Sequence, residues 1–95
     1  MRLSVLQQQS ILETLYQNFG LATKVWLFGS RVDDSRRGGD VDLYVETGKV
    51  STLLMKLRCK IALEEKLELP VDLIVKDQTT DDPIYKIAKK EGIQL

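Results

Sequence analysis

Three aspartates stand where a strand pattern leaves little room for charge. Asp40-Val41-Asp42 opens an alternating run that continues through Leu43-Tyr44-Val45, and Val71-Asp72-Leu73-Ile74-Val75 sets a third acid inside a second aliphatic run. A carboxylate in such a run is unfavourable unless something cationic sits on it. Alternation with period two points Asp40 and Asp42 to one face and Val41, Leu43 and Val45 to the other, while Asp72 faces away from Val71, Leu73 and Val75. If the two strands are neighbours, three carboxylates converge. The chain has no histidine and one cysteine, so the donors are hard oxygens. Such a set selects Mg²⁺ or Mn²⁺ over Zn²⁺ and can hold two ions about 3.5–4 Å apart. Zinc hydrolysis and histidine-base catalysis are excluded on the same ground.

A second group of residues is suited to phosphate. Lys24-Val25-Trp26-Leu27-Phe28 reads as a buried strand, and Gly29-Ser30-Arg31 follows it directly. Glycine permits close backbone approach, serine can open a short helix, and the N–H groups at a helix start attract anions. Arg31 adds a cation there, with Arg36 and Arg37 as weaker candidates in the loop. Other readings of this stretch fail. Taken alone, Gly38-Gly39-Asp40 would be a solvated turn, but Asp42 lies beyond it. A calcium loop begun at Asp33 puts Gly38 at its sixth position, yet Arg37 then falls on a ligand position and Tyr44 where a bidentate glutamate is required. No Walker-type Gly-Lys-Ser/Thr run occurs. Trp26 and Phe28 are assigned to the core rather than to a base-stacking platform.

These residues need elements to position them. Leu12, Leu15, Tyr16 and Phe19 keep helical spacing and Gly20 can end that helix, which predicts a first helix over roughly residues 4–19. Val50, Leu53, Leu54, Leu57 and Ile61 mark a second, starting near Ser51 and stopping before Pro70. Asp82-Pro83 caps a third, with Ile84, Ile87 and Ala88 as its apolar side and Gly92 as its end. Ile93-Gln94-Leu95 adds a short extension. The order is helix, strand, short helix, strand, helix, strand, helix. That is an α/β architecture with a small mixed sheet of about three strands and helices packed on one face. The expected organisation is a single domain over residues 1–95.

Composition narrows the partners. Fourteen Lys and Arg balance fourteen Asp and Glu, whereas a protein that tracks a nucleic-acid backbone carries a basic excess or stripe. Lys86, Lys89 and Lys90 fall in the last turns of the third helix, where cations complement its dipole, so a nucleic-acid substrate is disfavoured. No apolar stretch approaches the roughly 20 residues of a membrane span, and the N-terminus lacks the apolar core of a signal peptide. Cys59 stands alone, so no disulfide or redox pair forms within the chain. The expected location is the cytoplasm.

Gly-Ser, about ten residues, Asp-x-Asp on a strand, then a third aspartate on a later strand: this pattern resembles the nucleotidyltransferases of the DNA polymerase beta superfamily. The shortness of the chain resembles the minimal nucleotidyltransferases in particular, and the resemblance runs from the first helix to the last. It implies the nucleotidyltransferase fold. It also implies that Gly29 and Ser30 hold the triphosphate of ATP, beside which Arg31 is the nearby cation read from the sequence. Asp40 and Asp42 would ligate two Mg²⁺ (or Mn²⁺) ions, and Asp72 would complete the catalytic set beside the attacking hydroxyl. Gly29, Ser30, Asp40 and Asp42 match by motif, and Asp72 matches by context.

Larger members of the superfamily carry a further domain that binds the acceptor, and this chain is expected to depart from them in lacking one. The minimal proteins resemble one another in pairing with a small helical HEPN-type protein, as antitoxin to its toxin, and some such pairs transfer AMP onto a tyrosine of the toxin. By resemblance, the chain is expected to be an adenylyl-transferring antitoxin. The alternatives are a non-catalytic antitoxin that neutralises its partner by occupying a surface, and an enzyme acting on a small molecule. Association into homo- or hetero-oligomers is left open.

Overall fold

In a computed structural model, which describes residues 3–32, 39–79 and 81–95, local signals start each helix. Ser4 caps α1 (Val5–Phe19): its hydroxyl accepts from the Gln7 amide at 3.1 Å, and the Gln7 side chain accepts from the Ser4 amide at 2.8 Å. Thr52 caps α2 (Leu53–Leu67) in the same sense, accepting from the Met55 amide. Asp82 caps α3 (Pro83–Glu91), and Pro83 occupies the first turn, where its missing N–H costs nothing.

Four strands complete the order: β1 (Lys24–Phe28), followed by a 3₁₀ turn (Gly29–Val32), then β2 (Val41–Glu46), β3 (Val71–Lys76) and β4 (Ile93–Gln94). The sheet runs β3-β2-β1-β4, with β2 and β3 parallel and the other pairs antiparallel. A parallel pair needs a crossover, and α2 supplies it. The α/β class is as expected, with one strand more than the alternation predicted. β4 is too short to show a period, and it pairs with β1 at the Ile93–Leu27 and Gln94–Trp26 positions. Gly92 permits this junction: a Cβ there would stand 2.5 Å from the Ala88 carbonyl oxygen and 2.9 Å from that of Leu27.

The helices do not all share one face. Ile11, Leu15 and Phe19 of α1 and Cys59, Leu63 and Leu67 of α2 pack on Val25, Leu27, Val41, Leu43, Val45, Val71 and Val75, forming the main core. The opposite face of β1 and β2 carries Trp26 and Tyr44, two large aromatics that need cover, and α3 lies across them. Tyr85 stacks on Tyr44 with ring centroids 5.6 Å apart. Lys89 sits 4.9 Å over the Trp26 ring and 3.3 Å from Glu46, so this lysine, exposed like Lys86 and Lys90, lies along the aromatic face. Ile84 and Ile87, expected on the apolar side of α3, point outward, and Ala88 alone of the expected three is buried.

The second helix forms where predicted, but with the other side inward. Val50, Leu53, Leu54, Leu57 and Ile61 are all exposed. Its buried stripe is Cys59, Leu63 and Leu67, with Met55 packed against the core. Among the described residues no helix is long and apolar enough to cross a membrane.

Asp77 ties the end of β3 to the start of α2. Its carboxylate accepts from the Ser51 amide (2.8 Å) and hydroxyl (3.0 Å) and from the Thr79 amide (2.8 Å) and hydroxyl (2.6 Å). These bonds, the Thr79 hydroxyl first, hold the buried carboxyl well below the usual carboxylate range. A depressed folded-state pKa contributes stability that is present above the unfolded value of about 4 and is lost as pH falls through the folded value. Asp77→Asn is therefore expected to lower Tm at neutral pH and to flatten the acid limb of the stability curve below about pH 4. Acid unfolding of both proteins followed by circular dichroism checks this. Superimposable acid limbs would rule it out.

Candidate active site

Core packing decides where the acids stand. With Val41, Leu43 and Val45 of β2 facing the helices, Asp42, Tyr44 and Glu46 face the other side, and the parallel register sets Asp72 directly beside Asp42. Phe28, the last residue of β1, pairs with Asp42 from the opposite flank. The row Phe28-Asp42-Asp72 therefore crosses one end of the sheet. Asp42 is half-buried, whereas Asp72, on the edge strand, is exposed. Asp40 lies just ahead of β2 and is exposed.

Register sets Asp72 beside Asp42, and Asp40 precedes Asp42 by two residues, so the three acids share one neighbourhood. Burial pushes the Asp42 carboxyl above the usual carboxylate range, and the charges of Asp72 and Asp40 push it further. Like charges held together in this way create a deficit of positive charge, and every donor in the row is a carboxylate oxygen. Such a set fits a hard divalent cation. Among the described residues, however, no three acidic side chains stand close enough to enclose a single ion.

Gly29 makes the row sterically possible. It has φ 75°, a conformation side chains rarely adopt, and a Cβ at this position would run into the Asp42 carboxylate, with Cγ at 3.0 Å and Cβ at 3.3 Å. Ser30 and Arg31 continue the chain into the 3₁₀ turn. The Arg31 guanidinium donates to the Gly39 carbonyl at 3.4 Å, so it ties the turn to the segment leading into β2. Arg36, Arg37 and the Gly38 of the loop lie outside the described residues.

Backbone N–H groups at the turn and acids on the adjoining strands thus occupy the same end of the sheet; the N–H groups can receive a phosphate, whereas the acids repel it unless divalent cations stand between them. A cleft of about 280 Å³ lies at the opposite end, between Lys24, Glu46 and Lys76, away from the acid row. The sequence brought Gly29, Asp40, Asp42 and Asp72 to notice. It did not show the Gly29–Asp42 contact, because Gly29 reads equally well as a turn residue. Nor did it show the Trp26-Tyr44-Tyr85 stack one step along the face from Asp42, although the alternation Asp42-x-Tyr44 carried that signal.

Gly29→Ala is expected to destabilise the protein by about 1–3 kcal/mol, from backbone strain and the clash with Asp42. In an Asp42→Ala background roughly 1 kcal/mol of that cost should disappear, because the colliding carboxylate is gone. Urea unfolding of the four proteins of this cycle measures the coupling. Strict additivity would mean that Gly29 does not make room for Asp42.

Known proteins share this arrangement of elements. The family model described as polymerase beta, nucleotidyltransferase, matches residues 9–95. A solved toxin–antitoxin structure with AMP-PNP is 21% identical, with a TM-score of 0.76 over 92% of this chain and 70% of the other. A Shewanella oneidensis complex of a tri-AMPylated HEPN toxin with its MNT antitoxin is also 21% identical, with a TM-score of 0.72 over 94% of this chain and 68% of that one. A presumed minimal nucleotidyltransferase is 26% identical, with a TM-score of 0.73 over 95% and 90% of the two chains. Curated protein sequences give no match. At 21% identity the likeness is one of fold, and the family model spans nearly the whole length. With a motif and topology that agree with it, the chain belongs to the polymerase beta nucleotidyltransferase family.

Proposed function

We propose that this protein transfers AMP from ATP to a hydroxyl of a protein partner, with a tyrosine of a HEPN-type toxin as acceptor, and so acts as an antitoxin. The observation that carries the reading is the row at one end of the sheet, where Gly29, Asp42 and Asp72 stand together with Asp40 adjacent. Membership of the family supports nucleotidyl transfer. The tri-AMPylated HEPN toxin held by a chain of the same fold supports the acceptor.

In this reading residues 1–95 form the catalytic unit, and each site residue has a task set by its position. Gly29 lacks a side chain, so the backbone of the turn stays open to the triphosphate, and Ser30 and Arg31 complete its grip. Asp40, Asp42 and Asp72 would hold two Mg²⁺ ions, which supply charge neutralisation at the phosphates and a lowered pKa for the acceptor hydroxyl. Asp72, exposed on the edge strand, faces the acceptor and takes the hydroxyl proton. The acceptor oxygen bonds to the α-phosphorus, the bond from that phosphorus to the bridging oxygen breaks, and pyrophosphate leaves with the electron pair. The rate comes mainly from positioning and electrostatics, so acceptor choice rests on surfaces outside the row.

The test uses α-labelled ATP, Mg²⁺ and a purified HEPN-type helical protein as the partner, with mass spectrometry for adenylylated tyrosine. Wild type should label the partner. Asp72→Asn should keep complex formation and lower transfer by on the order of 10²–10⁴-fold. Neutralisation of the partner without any labelling would replace this reading with a binding antitoxin, and labelling that needs no partner would replace it with self-modification or a small-molecule acceptor.

A readout independent of turnover concerns the ions. Mg²⁺ with a non-hydrolysable ATP analogue should raise Tm through linkage, and Asp40→Asn or Asp42→Asn should abolish the rise. Equal shifts in wild type and both variants would remove the acids from the ion site.

A further inference from the structure

We propose that the outward face of α2 docks an amphipathic helix of another protein, one whose apolar stripe is bordered by carboxylates. Val50, Leu53, Leu54, Leu57 and Ile61 follow helical spacing and are exposed, Leu53 by 73% and Ile61 by 54%. All but Val50, which precedes the Thr52 cap, lie on the side of the helix opposite Cys59 and Leu63, which fill the core. From Leu53 to Ile61 the stripe runs about 12 Å, the length of a little over two helical turns. A contiguous exposed stripe of this kind marks a contact surface, and an apolar face laid along a helix is read by another helix.

Charge specifies the occupant. Between Glu46 and Glu64 the sequence holds no acid, while Lys49, Lys56, Arg58 and Lys60 are all cations. On α2 Lys56 and Lys60 border one side of the stripe and Arg58 the other. A helix with glutamates or aspartates along its borders satisfies these cations as its apolar side covers the leucines. A second copy of the chain does not. Antiparallel pairing about a two-fold axis at Leu57 would set Lys56 against its own copy along one border and Arg58 against its own copy along the other. An anionic bilayer is opposed by Glu65 and Glu68, exposed acids that follow the stripe within two turns. The surface lies across the sheet from the Asp42 row, so it stands whether or not the chain transfers AMP.

The experiment titrates the ¹⁵N-labelled chain with two synthetic helical peptides of about four turns, each with a leucine face, one bordered by glutamate and its twin by lysine. Amide shifts should concentrate in residues 49–61, with the glutamate peptide binding at least roughly ten-fold more tightly and less so at high salt. Leu57→Gln with Ile61→Gln should weaken it by a similar factor while strand amides keep their native positions. Arg58→Glu with Lys60→Glu should reverse the preference between the peptides. Equal binding of the twins, shifts centred elsewhere, or indifference to these variants would overturn the proposal. Sedimentation as a dimer that Leu57→Gln dissolves would assign the face to a second copy. Binding to phosphatidylserine vesicles, lost in the same variant, would assign it to a bilayer.

Discussion

Asp42 beside Asp72 on adjacent strands is a pair of like charges where a sheet ordinarily places partners, and nothing local favours it. What holds the pair is the other side of the same strands. Val41, Leu43, Val45, Val71 and Val75 are buried against α1 and α2, and a slip of one residue would turn all of them away from that core. The acids cannot move apart without unpacking the core. Gly29 then removes the one steric obstacle, by presenting no side chain to the carboxylate that β2 sets against it.

Much of this was legible because period-two alternation is a strong signal. It gave the facing of Asp42 and Asp72, and the caps at Ser4, Thr52 and Asp82 lie within two residues of the expected helix starts. What the pattern could not decide was which of two apolar stripes goes inward. On α2 both Leu53-Leu57-Ile61 and Cys59-Leu63-Leu67 have helical spacing, and the stripe richer in large aliphatic residues lies outside. The choice depends on the angle at which the crossover meets the sheet, a tertiary quantity that no local window contains. On α3 the same ambiguity put Ile84 and Ile87 outside, because Tyr85 and Ala88 fit against Tyr44 and Trp26. β4 escaped for a different reason: two residues have no period.

The division of the sheet into two faces separates tasks. One face is aliphatic and closed by α1 and α2, and it supplies most of the buried surface. The other is aromatic and partly open, with α3 over Trp26 and Tyr44 and the acid row beyond its cover. Tyr44 links the two regions: it is buried, donates to Glu46 at 2.7 Å and lies between the Trp26 and Tyr85 rings. Rigid aromatic packing two residues from Asp42 limits the freedom of the strand that carries it.

The parallel pairing of β2 with β3 also has a kinetic meaning. The antiparallel contact of β1 with β2 brings Gly29 against Asp42 by itself, whereas Asp72 arrives only when α2 has formed and carried the chain back across the sheet. Non-local parallel pairing is slow to nucleate, since the loop must close before its contacts reward it. Asp72 thus depends on a longer loop closure than the Gly29–Asp42 contact does, and without β3 in place Asp42 stands without its neighbour. Opening of the edge strand β3 alone would dismantle the acid row and leave Gly29 still against Asp42.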